Sequence, residues 1–199
     1  MSKGEQTRQQ IISQAMLFAS RTGLEKLSLG VLAESLELSK SGLFAHFKSK
    51  EALQLAVVHE TITRFTQLVV VPALAKPRGL ERVRALFAAD LDWVRGNARS
   101  GGCLFMTLSQ EYDDRPGQIR DLLVESQRDW RLTIGRIAKT AIDTGEFHPT
   151  LDTQFFAFEF EGIVMAFQRS LKLLADRHAL THATAAFESL LLRSKSPAH

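Results

Sequence analysis

Apolar residues recur three and four positions apart along almost all of this chain, and no segment alternates apolar with polar residues between Gly or Asn turns. A helical repeat of about 3.6 places such residues on one face of an α-helix, whereas a half-buried strand needs a period of two. The expected fold class is therefore all-α. Gly23, Pro72, Pro77, Gly101, Gly102, Pro116, Gly117, Gly145 and Pro149 supply the breaks. The first helix is expected to start at Thr7, where Thr7 and Gln10 have the capping-box spacing, to face inward through Ile11, Ala15, Phe18 and Ala19, and to end at Gly23. Ser28 is placed to cap a short second helix carrying Leu29, Leu32, Ala33 and Leu36, and Ser39 a third. Ser49 is placed to cap a fourth that Pro72 should stop. Further helices are expected near 79–95, 102–112, 117–144, 152–175 and 180–193, about nine in all, and the tail from Ser194 to His199 is expected to be disordered.

At 199 residues with 45% hydrophobic content, the chain has enough apolar material for one large core or two small ones. The charge is unevenly spread. Lys3, Arg8, Arg21, Lys26, Lys40, Lys48 and Lys50 face only Glu5, Glu25, Glu34 and Glu37 in the first fifty residues, which hold the whole net charge of +3. An electrostatic footprint for phosphate belongs in that first quarter. Cys103 is the single cysteine, which excludes an internal disulfide and a multi-cysteine zinc site. The polar stretch Met1 to Gln10 does not resemble a signal peptide, and apolar runs such as Leu68 to Ala75 are too short to span a bilayer. A cytoplasmic protein with no membrane partner is expected.

Chemistry concentrates between Ser28 and Leu53. Two short helices joined by a tight turn are what a major-groove reader requires, the first supporting and the second inserting. Leu43 and Phe47, four apart, turn toward the core and leave Lys40, Ser41, Phe44 and His46 outward or flanking. Gly42 in mid-helix costs about 1 kcal/mol against alanine, which suggests close approach of another surface. Ser28, Ser39, Ser41, Lys40, His46, Lys48 and Lys50 offer hydroxyl, cationic and helix-end donors for phosphate and bases. Phe44-Ala45-His46-Phe47 followed by Ser49-Lys50-Glu51-Ala52-Leu53 resembles the head of the TetR family over about Thr7 to Leu53. That family usually carries Tyr at the position of Phe44, with its hydroxyl on a phosphate, a bond Phe44 is unable to make.

The resemblance implies a DNA-binding domain over residues 1–53, with its helix-turn-helix at 28–47, and a helical domain over 54–199 that dimerises and binds a small effector releasing the DNA. On that basis the partners are double-stranded DNA with a palindromic operator, a small molecule and a second copy of the chain, with no cofactor and no metal. A repressor is the expected sign of control. Phe156, Phe160, Ile163, Phe167 and Leu171, with Phe187, Leu190 and Leu191, are candidates for the dimer interface or for intramolecular core. Phe87, Trp93, Cys103, Phe105, Met106, Trp130, Ile134, Phe158 and Met165 are candidates for lining an effector pocket, or again for core. Cys103, where a helix begins, is either a thiol sensor with a cationic neighbour such as Arg99 or an inert buried residue. His178 and His182 share a helix face but lack the Glu of a metalloprotease motif and a third ligand. No phosphate loop or nucleophile elbow is present, and Glu111, Asp113 and Asp114 read as a solvated helix end. An enzyme is not expected; a helical interaction module without DNA binding is the alternative.

Overall fold

The computed structural model describes residues 2–98 and 100–196, and every regular element among them is helical. The helices are α1 (Lys3–Thr22), α2 (Leu29–Ser35), α3 (Lys40–His46), α4 (Lys50–Phe65), α5 (Val71–Leu74), α6 (Leu80–Ala98), α7 (Leu104–Tyr112), α8 (Gln118–Asp143), α9 (Thr153–Lys172) and α10 (Ala179–Ser194). A π-helical turn, Thr66–Val70, joins α4 to α5, so these segments form nine rods. None of the described helices is long and apolar enough to cross a membrane.

Three expectations are corrected. The first helix starts at Lys3, because Ser2 and Glu5 form the capping box; the Thr7 hydroxyl instead donates to the Lys3 carbonyl at 3.1 Å. The helix expected to stop at Pro72 runs through it. Proline lacks an N–H and collides with the carbonyl four residues back, but the π-turn just before it shifts the bonding register. Pro72 then falls in the first turn of α5, where no donor is required. The tail is ordered at least to Ser196: His148 N–H donates to Ser194 O at 2.9 Å, Phe147 and Lys195 form an antiparallel bridge, and Ser196 N–H donates to Glu146 O at 3.2 Å. Backbone groups that would otherwise face water find partners in the loop after α8. Residues 197–199 of that expected tail, and Arg99, lie outside the described residues.

The chain divides into two compact units, Met1–Arg64 with Ser100–Glu125, and Phe65–Arg99 with Ser126–His199. The domain boundary expected at residue 53 falls inside α4, which is continuous there, and the first unit also takes in α7. Its core joins Ile11, Ile12, Ala15 and Ala19 of α1 to Leu24, Leu27, Leu32, Leu43, Phe47, Leu53 and Val57, with Leu104, Leu108 and Tyr112 from α7. In the second unit the core is aromatic. Phe87 of α6 stacks on Phe187 of α10 with centroids 3.8 Å apart, and Phe160 of α9 meets both edge-on at 5.3 and 5.9 Å. Gly145, at φ 78°, ends α8, and the Glu146 carboxylate accepts the Leu80 N–H at 2.8 Å, holding the start of α6.

Candidate functional site

In the first unit, α2 buries Leu32 and Ala33 and ends at Leu36; Glu37 then takes a left-handed φ of 54°, and Leu38 N–H returns to Ala33 O at 2.9 Å. This closed turn delivers Ser39, whose hydroxyl accepts the Gly42 N–H at 3.0 Å and so starts α3. Leu43 and Phe47 are buried, as their spacing requires, which leaves Lys40, Ser41, Phe44 and Ala45 on an exposed outer face, with Gly42 and His46 half-buried at its margins. Lys48 and Ser49 extend the exposed surface, and the Ser49 hydroxyl caps α4 through Ala52 N–H at 3.0 Å. Gly42 has a local reason besides approach of another surface, since a Cβ there would lie 3.1 Å from the Ser39 oxygen. Ser28 sits at the N-cap of α2 without a capping side-chain bond. The Lys50 ammonium donates to the Glu25 carbonyl and pairs with its carboxylate at 3.4 Å, so it braces the head from inside the unit. Arg8 lies over the Phe47 ring, 4.9 Å from its centroid.

Glu111, read from the sequence as part of a solvated helix end, is instead a clamp. Its carboxylate accepts the backbone N–H groups of Leu24 and Glu25, both at 2.7 Å, fixing the turn between α1 and α2 from α7. Gly23 is required beside it, with φ 87° and a carboxylate oxygen 2.8 Å from where a Cβ would be. Glu111→Ala is expected to destabilise the protein by about 2 kcal/mol, because two charge-assisted bonds go and two donors lose their acceptor. Urea unfolding checks this. A change within about 0.5 kcal/mol, the range of an ordinary surface substitution, would overturn the clamp.

The second unit contains polar groups where apolar ones are expected. Asp90 on α6 is 5% exposed, and burial, with the Glu161 charge adding to it, pushes its carboxyl up to about 7. Glu161 pairs with Arg131 at 2.6 Å. The Trp93 indole N–H and the Gln168 side-chain oxygen are buried without a hydrogen-bond partner. Phe65 meets Trp93 and Trp130 edge-on, at 5.4 and 4.8 Å. Sequence reasoning missed Asp90, although a signal was present: Leu86, Phe87, Trp93 and Val94, three and four positions away on either side, place it on an apolar stripe. Of the residues expected to line a pocket, Phe87, Trp93, Trp130 and Ile134 lie in this unit, while Cys103, Phe105 and Met106 lie in the other. Cys103 is buried at the N-cap of α7. Phe158 and Met165 are corrected: both are about three-fifths exposed, at 61% and 59%, and do not face an interior.

A model of bacterial regulatory proteins of the tetR family matches residues 11–57, and a tetracyclin repressor-like C-terminal domain matches residues 79–187, more than half of the chain. The chain belongs to the TetR family. The regulator TcmR of Streptomyces glaucescens is 29% identical over 194 residues, which cover 95% of this chain and 83% of that protein. A TetR-family transcriptional regulator from Cytophaga hutchinsonii superposes with a TM-score of 0.86 at 23% identity, covering 100% of this chain and 99% of that one. AibR, solved in complex with isovaleryl coenzyme A and operator DNA, has a TM-score of 0.73 at 19% identity, covering 96% and 99%.

As a TetR-family protein the chain is a DNA-binding transcriptional regulator. The aromatic position of its family motif, Phe44, is 48% exposed and carries no hydroxyl, so any contact it makes with DNA is apolar. Among the candidates for the dimer interface, Phe156, Phe160, Phe167, Phe187, Leu190 and Leu191 are at most 2% exposed and Ile163 and Leu171 are half-buried, so the first six are core of this chain. The reason is that α9 is apolar on more than one side, and its inward side is taken by α6 and α10. The outward side carries Phe155, Phe158, Gly162 and Met165, at i, i+3, i+7 and i+10. His178 and His182 are exposed with ring centroids 6.0 Å apart, and among the described residues no three His, Cys, Asp or Glu side chains gather to hold a metal.

Proposed function

We propose that this TetR-family regulator is a homodimeric repressor that reads a palindromic operator through α3 and leaves it when a small effector binds the second unit. The observation carrying the reading is the outer face of α3: Lys40, Ser41, Phe44 and Ala45 stand free while Leu43 and Phe47 lock the helix from behind. Hydroxyl, cationic and apolar groups on one short, well-anchored helix suit base edges and phosphates of a major groove. A mobility-shift titration against fragments of the source genome tests it. Retention is expected to fall steeply with salt and to saturate on a palindrome. Replacing Lys40 and His46 together by Ala is expected to weaken binding at least tenfold with unfolding unchanged, an order set by about 1.4 kcal/mol per factor of ten. Unaltered affinity would remove both from the interface, and salt-insensitive or absent retention would favour an interaction module instead.

Dimerisation is supported by the exposed stripe of α9, Phe155, Phe158 and Met165, and by Ala185 and Leu192, exposed seven positions apart on one face of α10. A two-fold contact between such stripes buries them as a four-helix bundle and pairs two copies of α3 on successive grooves. Phe158→Glu is expected to convert the protein to a monomer in sedimentation analysis and to cut operator affinity with it. A dimer that survives the substitution would place the interface elsewhere. The effector acts only by preferring one conformation over the other, so its affinity must differ between the operator-bound and free proteins.

A further inference from the structure

We propose that the effector is a protonated organic amine with an apolar body, bound inside the second unit with its ammonium on the Asp90 carboxylate; this rests on the effector reading above. Asp90 is a buried acid, 5% exposed, and its acidic neighbour Glu161 is already paired with Arg131 at 2.6 Å. Among the described residues, the ion pair of this interior serves Glu161 and none is found at Asp90, so its ionised form stands without a cation. A buried carboxylate left in that condition is costly, and an ammonium that donates to it removes the cost. Trp93, three residues along α6 and thus on the same side of the helix, holds an indole N–H without an acceptor. Two turns from Glu161 on α9, the Gln168 side-chain oxygen also lacks a donor. The unmet groups thus ask for donors at Asp90 and Gln168 and for an acceptor at Trp93. An amine with a nearby ether or carbonyl oxygen supplies all three. Phe65, Trp93 and Trp130, joined by edge contacts at 5.4 and 4.8 Å, give the apolar and aromatic surface on which the rest of such a ligand and its positive charge are favoured.

Both tryptophans of the chain belong to this cluster, so intrinsic fluorescence reports on it without a label. The experiment titrates the full-length protein with phenethylamine and phenoxyethylamine, using phenethyl alcohol and phenoxyacetate as neutral and anionic counterparts. Saturable quenching by the amines is expected, at least tenfold tighter than by either counterpart, with the ether oxygen improving affinity. Asp90→Asn is expected to lose at least tenfold for the amines and nothing for the alcohol. Trp93→Phe is expected to abolish only the advantage of phenoxyethylamine over phenethylamine, read by calorimetry. Absence of saturable binding by both amines, tighter binding of phenoxyacetate, or equal amine affinity in Asp90→Asn would each overturn the assignment. A parallel mobility-shift assay separates this from the broader reading: an operator-binding protein that ignores amines sinks the ligand class alone, whereas a protein that binds amines but no DNA sinks the regulator.

Discussion

At pH 8 the Asp90→Asn variant is expected to be more stable than the wild-type protein, and at pH 4 the difference should vanish. The folded carboxyl sits at about 7 against 3.8 for an ordinary Asp, so the folded chain holds this proton more tightly than the unfolded one. A raised pKa contributes stability that is complete below the unfolded value and is lost as pH rises through the folded value. The window is therefore about pH 4 to 7, and the loss amounts to about 4 kcal/mol at 1.36 kcal/mol per unit. Asparagine has no charge to bury and should show no such decline. Comparing urea midpoints of the two proteins across that window isolates the group from all other titrations, and parallel profiles would contradict the assignment. The instability is the counterpart of the binding proposed above: what an empty site loses at neutral pH, a cation on Asp90 restores.

Phe160→Ala is expected to cost about 4 kcal/mol, within the range for removing a buried aromatic ring. Phe160 is fully buried, and its ring contacts Phe87 of α6, Phe187 of α10 and Trp130 of α8 at 5.3, 5.9 and 6.1 Å. One truncation thus removes three edge-on pairs along with the transfer energy, and leaves a void among helices that are unable to collapse independently. Chemical denaturation measures the loss directly. A cost below about 1 kcal/mol would mean that the neighbouring rings close over the gap, contrary to the close packing of protein interiors.

Helical class and the reading head were legible because they depend on local chemistry. Ser39, Ser49, Leu43 and Phe47 act within a turn or two of their own position, and each does in the structure what its spacing required. The start at Ser2 was equally local, but Thr7 offered a competing pattern whose hydroxyl prefers its own helix. The faces of α9 and α10 were not legible. Phe155, Phe156, Phe158 and Phe160 follow so closely that a periodic reading cannot rank inner against outer, and only packing by α6 decides that Phe156 and Phe160 go in while Phe155 and Phe158 stay out. Glu111 was hidden for a different reason. Its partners lie 87 and 86 positions away, and no spacing along α7 announces a carboxylate meant for the turn after α1.

The bonds that tie the end of α10 to the loop after α8 bear on what assembly costs. The last turn of a helix ordinarily frays, and freezing each of its residues takes roughly 1–2 kcal/mol of backbone entropy. Here Ser194, Lys195 and Ser196 are anchored to residues 146–148 of the same chain, so that ordering is settled when the single chain folds. In the proposed dimer a second molecule meeting α10 would find this end already set, and a rigid surface converts more of its buried area into affinity than one that must first be immobilised.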